Sequence, residues 1–311
     1  MFPDMFQIFN EEKQREGTVQ SQPTAAVPFG NVFVLSVGGS ILCDGKPNVM
    51  AIAKFSECLN DLIRQGFHFV VVVGGGKVAR EYISAAKTLG ASFFQQDLLG
   101  IDITRANAAL LAGSIENAEQ RILTDVLEAA AVLERGKTPV FGGLLPGLTT
   151  DAVAALIAEF LHATFVNLSN VDGVYSADPA TNPHAKFYPE LSYDRLLSIV
   201  KLSAMQPGQN LVVDLPAAMI LRRSRIPAFF LDGKDLGNFV AAIKGQEFRG
   251  TVVRESVEGE RIPVESVEAE EDEEESQQRR KVARRKRSMA DKKRQILEDE
   301  DDEIRPEEID I

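Results

Sequence analysis

Cysteine occurs only twice in 311 residues, at Cys43 and Cys58, and histidine only three times. Two thiols without a CxxC or paired-histidine spacing build neither a disulfide framework nor a zinc site, so both are expected simply to pack, as in a cytoplasmic protein. No apolar run reaches the roughly 18 residues that a membrane-spanning helix needs, and no bilayer crossing is expected. The first thirty residues lack a basic start followed by an apolar stretch and carry Asp4, Glu11, Glu12 and Glu16 instead, so no secretory leader is expected either. What is present is ordinary: 44% hydrophobic and 26% charged residues, a balance that allows a sizeable buried core.

The net charge of -12 is unevenly spread, because residues 255–311 hold 21 of the 46 acids and 12 of the 34 bases. The body is therefore nearly neutral, and the acidity belongs to a tail. That tail is built of blocks, EAEEDEEE, then RRKVARRKR and DKKR, then EDEDDE, with too few apolar residues for a core. Residues 255–311 are expected to be disordered or a solvated single helix. The basic block from Arg279 to Arg294 is the one candidate for nucleic acid, but the acidic blocks compete for it, so strong binding is not expected. Residues 1–30 show no sustained period and read as a flexible extension, in which Met5, Phe6, Ile8 and Phe9 could dock as a short apolar turn.

Between 31 and 254 the chain alternates short apolar runs with amphipathic stretches. Val32 to Val37 and Phe67 to Val73 are continuous apolar runs stopped by glycines, the pattern of strands covered on both faces. Ile52, Phe55, Leu59, Leu62 and Ile63 recur at helical spacing between them. Further helices are expected at 78–89, 104–115, 125–134, 150–161, from 192, at 215–224 and at 235–243. Further strands are expected at 138–141, 165–168, 226–231 and 251–253. Strand and helix in alternation mean one α/β domain around a mainly parallel sheet.

In such a sheet, ligands collect beyond the carboxyl ends of the strands. Three glycine turns stand at such ends: VGGS (37–40), VGGGK (73–77) and FGGLLPGLTTD (141–151). Glycine lets the backbone approach a ligand, and helix-start N–H groups favour an anion, so together the turns point to a phosphate-bearing ligand. The P-loop pattern GxxxxGK[ST] is absent, since Lys77 is followed by Val78. Gly74-x-Gly76-x-x-Ala79 formally matches a dinucleotide fingerprint with Asp97 at ribose distance, but it leaves the other turns unexplained. The segment SNVDGVYSADP (169–179) follows a strand; its Asn170 and Asp178 can hydrogen-bond a base or ribose, and Tyr175 can pack on a flat ring, although two tight turns would also use parts of it. Asp151 has two readings, a helix N-cap or an organiser of cations or metal around phosphates.

The strings VGGGKVAR, LLGIDITRAN, GLLPGLTTDAVAALIAEF and NVDGVYSADP, in that order, resemble the archaeal-type uridylate kinases of the amino-acid kinase superfamily over about 32–253. The resemblance implies a three-layer α/β/α sandwich, transfer of the ATP γ-phosphate to UMP, Mg2+ dependence and a homohexamer. Carried over, it places the triphosphate on Gly39, Ser40, Gly75, Arg80, Ser169, Asn170, Tyr175 and Asp178. It places UMP on Gly74, on Asp97 through the ribose hydroxyls, and on the loop Leu144, Leu145, Pro146, Gly147, Leu148, Thr149 and Thr150. Asp151 and Arg80 are the catalytic candidates; Lys77 and Arg105 are weaker ones that read equally as solvated helix charges, and no side chain is assigned as a metal ligand. The sequence departs from the superfamily at Ser36, where many members carry lysine, at Ser169 in place of threonine, and in the apolar LLPGL loop. Rival readings are a molybdate or tungstate storage protein of the same fold, and a kinase of the superfamily acting on another acceptor.

Overall fold

The computed structural model describes residues 31–204 and 212–255, without the side chains of residues 203 and 204. The 1–30 extension and the tail from 256 onward lie outside the described residues.

Seven strands form one sheet in the order β3-β2-β1-β4-β8-β9-β7: β1 (Val32–Val37), β2 (His68–Val73), β3 (Val140–Phe141), β4 (Thr164–Ser169), β7 (Glu190–Leu191), β8 (Ala228–Asp232) and β9 (Thr251–Val253). All neighbours are parallel except β8 and β9. The period-2 alternation of each strand sends its side chains to two separate cores. Val34, Val70, Val72 and Phe165 pack on one face with α6 (Thr150–Leu161), α7 (Tyr193–Ala204) and α8 (Leu215–Arg223). Phe33, Leu35, Val37, Val71 and Val73 pack on the other with α2 (Val49–Arg64), α4 (Phe93–Ala112) and α9 (Leu236–Ile243). The result is the expected three-layer α/β/α sandwich. The short helices α1 (Gly39–Leu42) and α5 (Glu128–Glu134), the helix α3 (Gly76–Thr88), and a hairpin of β5 (Val174–Tyr175) with β6 (Phe187–Tyr188) complete the described residues.

The structure moves several expected boundaries. The helix expected at 104–115 begins at Phe93, because Ser92 and Gln95 form a capping box: Ser92 Oγ accepts from Gln95 N, and Gln95 Oε1 accepts from Ser92 N at 2.9 Å. Asp97 consequently lies on a helix and not in a loop. The helix expected from 125 starts at Glu128, since Asp125 turns its carboxylate onto Leu127 N. The strand expected at 138–141 contracts to Val140–Phe141, while Thr138 bridges to Ala118. β5, β6 and β7 occupy what read as one long loop; each is two residues, too short to show a period.

The core beneath the sheet's second face depends on stacked rings. Phe239 is fully buried, with its ring centroid 6.2 Å from Phe55 and 6.4 Å from Phe69. Phe239→Ala is expected to lower unfolding free energy by about 3–5 kcal/mol in denaturant titration. A loss below about 1 kcal/mol would show that this core closes over the cavity.

Candidate functional site

The carboxyl ends of β1 and β2 lead into two glycine turns that touch each other. A Cβ on Gly39 would stand 2.1 Å from Gly76 N and 2.6 Å from Gly74 O, so only hydrogen fits there. Gly76 takes φ 63°, and a Cβ on it would meet Gly39 C at 2.7 Å. Neither turn can widen, and both present backbone N–H groups beside the first turns of α1 and α3, where the helix ends favour an anion. Gly38 N donates to Leu168 O and Gly74 N to Val37 O, which ties both turns to the sheet edge.

Below the turns lies a polar group on an otherwise apolar face. Ser36 of β1 pairs in register with Asn167 of β4, and both side chains point toward α6 with Val34 and Phe165. Both donate to one atom: Ser36 Oγ lies 2.6 Å and Asn167 Nδ2 3.0 Å from Asp151 Oδ1. Asp151 stands in the first turn of α6, but the N-cap is Thr149, whose Oγ1 accepts from Ala152 N at 3.1 Å. The N-cap reading of Asp151 is thereby displaced by one of its neighbours. Burial pushes the Asp151 carboxyl up to about 6, and Asp214 adds to the rise, against the lowering by Ser36 and Asn167. No ion pair to Asp151 forms among the described residues. Asn167 Oδ1 is buried without a hydrogen-bond partner. Thr149 Oγ1 also donates to Asp214 Oδ2 at 2.5 Å, and Asp214 Oδ1 caps α8 through Ala217 N at 2.9 Å. One carboxylate thus joins the starts of two helices.

The loop after β3 is held against α4. Thr104 Oγ1 accepts from Gly143 N at 2.6 Å, and Arg105 Nε donates to Gly143 O at 3.1 Å. Farther along the loop, Asp97 Oδ2 accepts from Gly147 N at 2.8 Å, where Gly147 takes φ 79°. Asp97, Thr104 and Arg105 recur on one side of the helix, so a single straight element fixes both root and tip. Leu144, Pro146, Leu148 and Thr150 are half-buried, whereas Leu145, Gly147 and Thr149 are exposed. Arg105, weighed above as a phosphate cation, is committed to loop carbonyls.

The 169–179 segment closes the other side. Ser169 Oγ turns onto Val171 N at 3.2 Å, and Asp178 Oδ1 accepts from Ala180 N at 2.9 Å. Tyr175 donates its hydroxyl to Asp172, which also receives Arg249, and its ring leans on Phe187 with centroids 5.2 Å apart. Val171, Val174, Tyr175 and Pro179 face Leu196 and Val200 of α7 across a small, mainly apolar cleft. Asn170 and Ser40 flank the turns, exposed and half-buried respectively. Arg80 is exposed on α3 just after the glycine turn, and Lys77 pairs at 4.0 Å with Glu81, as a solvated helix charge does. Gly39, Gly74 and Gly75 therefore meet Asp151, Asp97 and the 144–150 loop at one sheet edge.

Four residues that the sequence reading passed over join them. Asn167 was readable as a polar interruption in the strand FVNLS, and Asp214 as a cap before Leu-Pro. Thr104 and Asn107 carried no local signal, because the partners that tie them to the turns lie 32 to 64 residues away.

Residues 31–232 match the model of the amino acid kinase family. The chain is 44% identical over 221 residues to uridylate kinase of Archaeoglobus fulgidus, spanning 71% of this chain and 98% of that protein. It is 43% identical over 223 residues to uridylate kinase of Pyrococcus abyssi, again 71% and 98%. The crystal structure of the Archaeoglobus fulgidus uridylate kinase superposes with a TM-score of 0.64 at 43% identity, over 71% of this chain and 99% of that one. UMP kinase from Bacillus anthracis, at 22% identity and a TM-score of 0.62 over 73% and 97%, shares the fold.

The raised Asp151 value makes stability depend on pH. The folded carboxyl holds its proton more tightly than the unfolded one, so this contribution is present below about pH 4 and is lost as pH rises through about 6. Asp151→Asn cannot ionise and keeps an oxygen for Ser36 and Asn167. It is expected to exceed the wild type in stability by about 1–3 kcal/mol above pH 7 and to lose that advantage near pH 4, read by urea unfolding. A constant difference across that range would refute the burial argument.

Proposed function

The chain belongs to the amino acid kinase family, and from that premise we infer that it transfers the γ-phosphate of ATP to UMP, giving UDP and ADP. The observation that carries this reading is one sheet edge at which two interlocked glycine turns meet a loop clamped by Asp97, in a chain spanning nearly the whole of the uridylate kinases it resembles. A UMP phosphate oxygen is already largely ionised at pH 7, its second pKa being about 6, so it attacks the γ-phosphorus without a strong base. The bond to the β,γ-bridging oxygen breaks and ADP leaves. The work of the protein is alignment and charge compensation.

In this reading Gly39, Ser40, Gly75 and Arg80 contact the triphosphate, and Ser169, Asn170, Tyr175 and Asp178 contact its nucleoside. Tyr175 would offer a ring face, since its hydroxyl is occupied by Asp172. Gly74 and the 144–150 loop contact UMP. Asp97 shapes that loop through Gly147 N while its other oxygen is directed to the ribose. Asp151 is placed where Ser36 supplies a hydroxyl in place of an ammonium, which supports its role in organising cations around the phosphates.

Mg2+ fits the donor chemistry: the Asp151 carboxylate and the unpaired Asn167 Oδ1 are hard oxygen ligands at the turn ends. Among the described residues no group of three or more His, Cys, Asp or Glu forms a protein cage, so phosphate oxygens and water would complete its shell. When bound, the ion supplies charge neutralisation on the transferring phosphoryl group.

We propose the homohexamer that the family resemblance implies. The exposed apolar corner between α3 and α4, where Leu89 is 86% and Phe93 81% exposed, is surface of the kind that a subunit contact covers. No helix among the described residues is long and apolar enough to cross a membrane, and the cytoplasm is the compartment this reading implies.

ADP release coupled to UMP, CMP, dUMP and isopentenyl phosphate as acceptors tests the substrate: UMP is expected to give the highest kcat/KM. Absence of acceptor-dependent release, with metal oxyanion copurifying, would favour storage instead. Asp97→Ala is expected to raise the KM for UMP roughly 10- to 100-fold, as loss of a charge-assisted hydrogen bond does, with that for ATP shifted less than about threefold. Equal shifts in both would remove Asp97 from the acceptor side.

A further inference from the structure

Asn107 is buried in the C-terminal half of α4, where its side chain turns to the glycine turn after β2. Its amide reaches the glycine turn after β2: Nδ2 donates to Gly74 O at 3.0 Å and lies 3.4 Å from Gly75 O. Its own oxygen accepts from Cys43 Sγ at 3.3 Å. Cys43 ends α1, and its N–H donates to Gly39 O at 2.8 Å. One side chain therefore links the ends of both glycine turns to α4.

A trans peptide unit has its C=O and the following N–H on opposite sides. When Asn107 draws the carbonyls of Gly74 and Gly75 toward α4, the N–H groups of Gly75 and Gly76 are turned the other way, out from the helix. Glycine has no Cβ to restrict its own peptide planes, so a turn of three glycines needs such an outside constraint to keep its dipoles aimed. The carbonyls of Gly74 and Gly75 only accept, so they fix which end of the Asn107 amide is nitrogen, and the Cys43 thiol, a weak donor, braces the remaining oxygen.

Resting on the phosphotransfer reading, we propose that Asn107 is a positioning residue which, braced by Cys43, aims the Gly75 and Gly76 N–H groups at the triphosphate. It touches no substrate. Its action is to hold two peptide planes in the orientation that the transferring phosphoryl group requires, before that group arrives.

The test compares the full-length wild type with Asn107→Leu, which keeps the volume and removes the donor, and with Cys43→Ser and Cys43→Val. Affinity for a non-hydrolysable ATP analogue, measured calorimetrically without acceptor, is expected to fall about tenfold in Asn107→Leu, and kcat tenfold to a hundredfold, the range lost with one preorganised donor. The KM for UMP should shift less than the analogue affinity, because Asp97, Thr104 and Arg105 hold the acceptor loop independently and only Gly74 is shared between the two sides. Cys43→Ser, which keeps a donor, should resemble the wild type, while Cys43→Val should lose analogue affinity in the same direction as Asn107→Leu but less. Unchanged analogue affinity in Asn107→Leu, or equal losses in all constants with a lowered Tm, would overturn the proposal. Should Asn107→Leu not fold, the Cys43 pair decides: equal behaviour of Ser and Val overturns it. A wild type that binds the analogue but releases no ADP with UMP would reject the functional reading alone, since the binding comparison does not involve the acceptor.

Discussion

Two backbones share a space that admits no side chain. Gly39 and Gly74 to Gly76 approach so closely that a single methyl on Gly39 would overlap three peptide atoms. Everything at the site is placed by that contact. It brings the N-terminal turns of α1 and α3 side by side at the ends of adjacent parallel strands. The same absence of side chains leaves the turns conformationally loose in isolation, so the surroundings must define them. Strand pairing does part of this through Gly38 N and Gly74 N, and α4 does the rest through Asn107.

Helix α4 acts as a ruler across the site. Its length is set by a capping box at Ser92, and along it Asp97, Thr104, Arg105 and Asn107 meet the tip of one loop, its root and the glycine turn in succession. Because a helix of this length is stiff, the spacing between the 144–150 loop and the 73–77 glycine turn is carried by its rise per residue and not by the loops themselves. The opposite face of the sheet contributes the electrostatics. Ser36 and Asn167, adjacent across β1 and β4, lift two donors to Asp151 out of an apolar layer, and burial there raises the cost of its charge.

Much of this was legible residue by residue. VFVLSV and HFVVVV, apolar without alternation and stopped by glycine, announced strands covered on both faces, and a parallel sheet followed from the helical stretches between them. That the turns at 37–40, 73–77 and 141–151 stand at strand ends was legible from the apolar runs before them, and such ends are where parallel α/β sheets collect ligands. Asp97 was legible as a candidate but not as a helical residue, since the Ser92 cap lay outside the apolar period used to find the helix. Arg105 looked like a phosphate cation because its charge is visible in sequence and its loop carbonyl partners are not.

The sequence by itself determined the alternation of strand and helix, the glycine turns and the polar interruptions, because hydrophobic period and backbone freedom are local properties. Only the tertiary structure decided which polar atoms meet: Ser36 with Asp151 across 115 residues, Asp97 with Gly147 across 50, Thr149 with Asp214 across 65. Those pairings follow from strand order and from the angle at which each helix crosses the sheet. Both are set by packing two apolar layers against one twisted surface, and neither is written in any short stretch of chain.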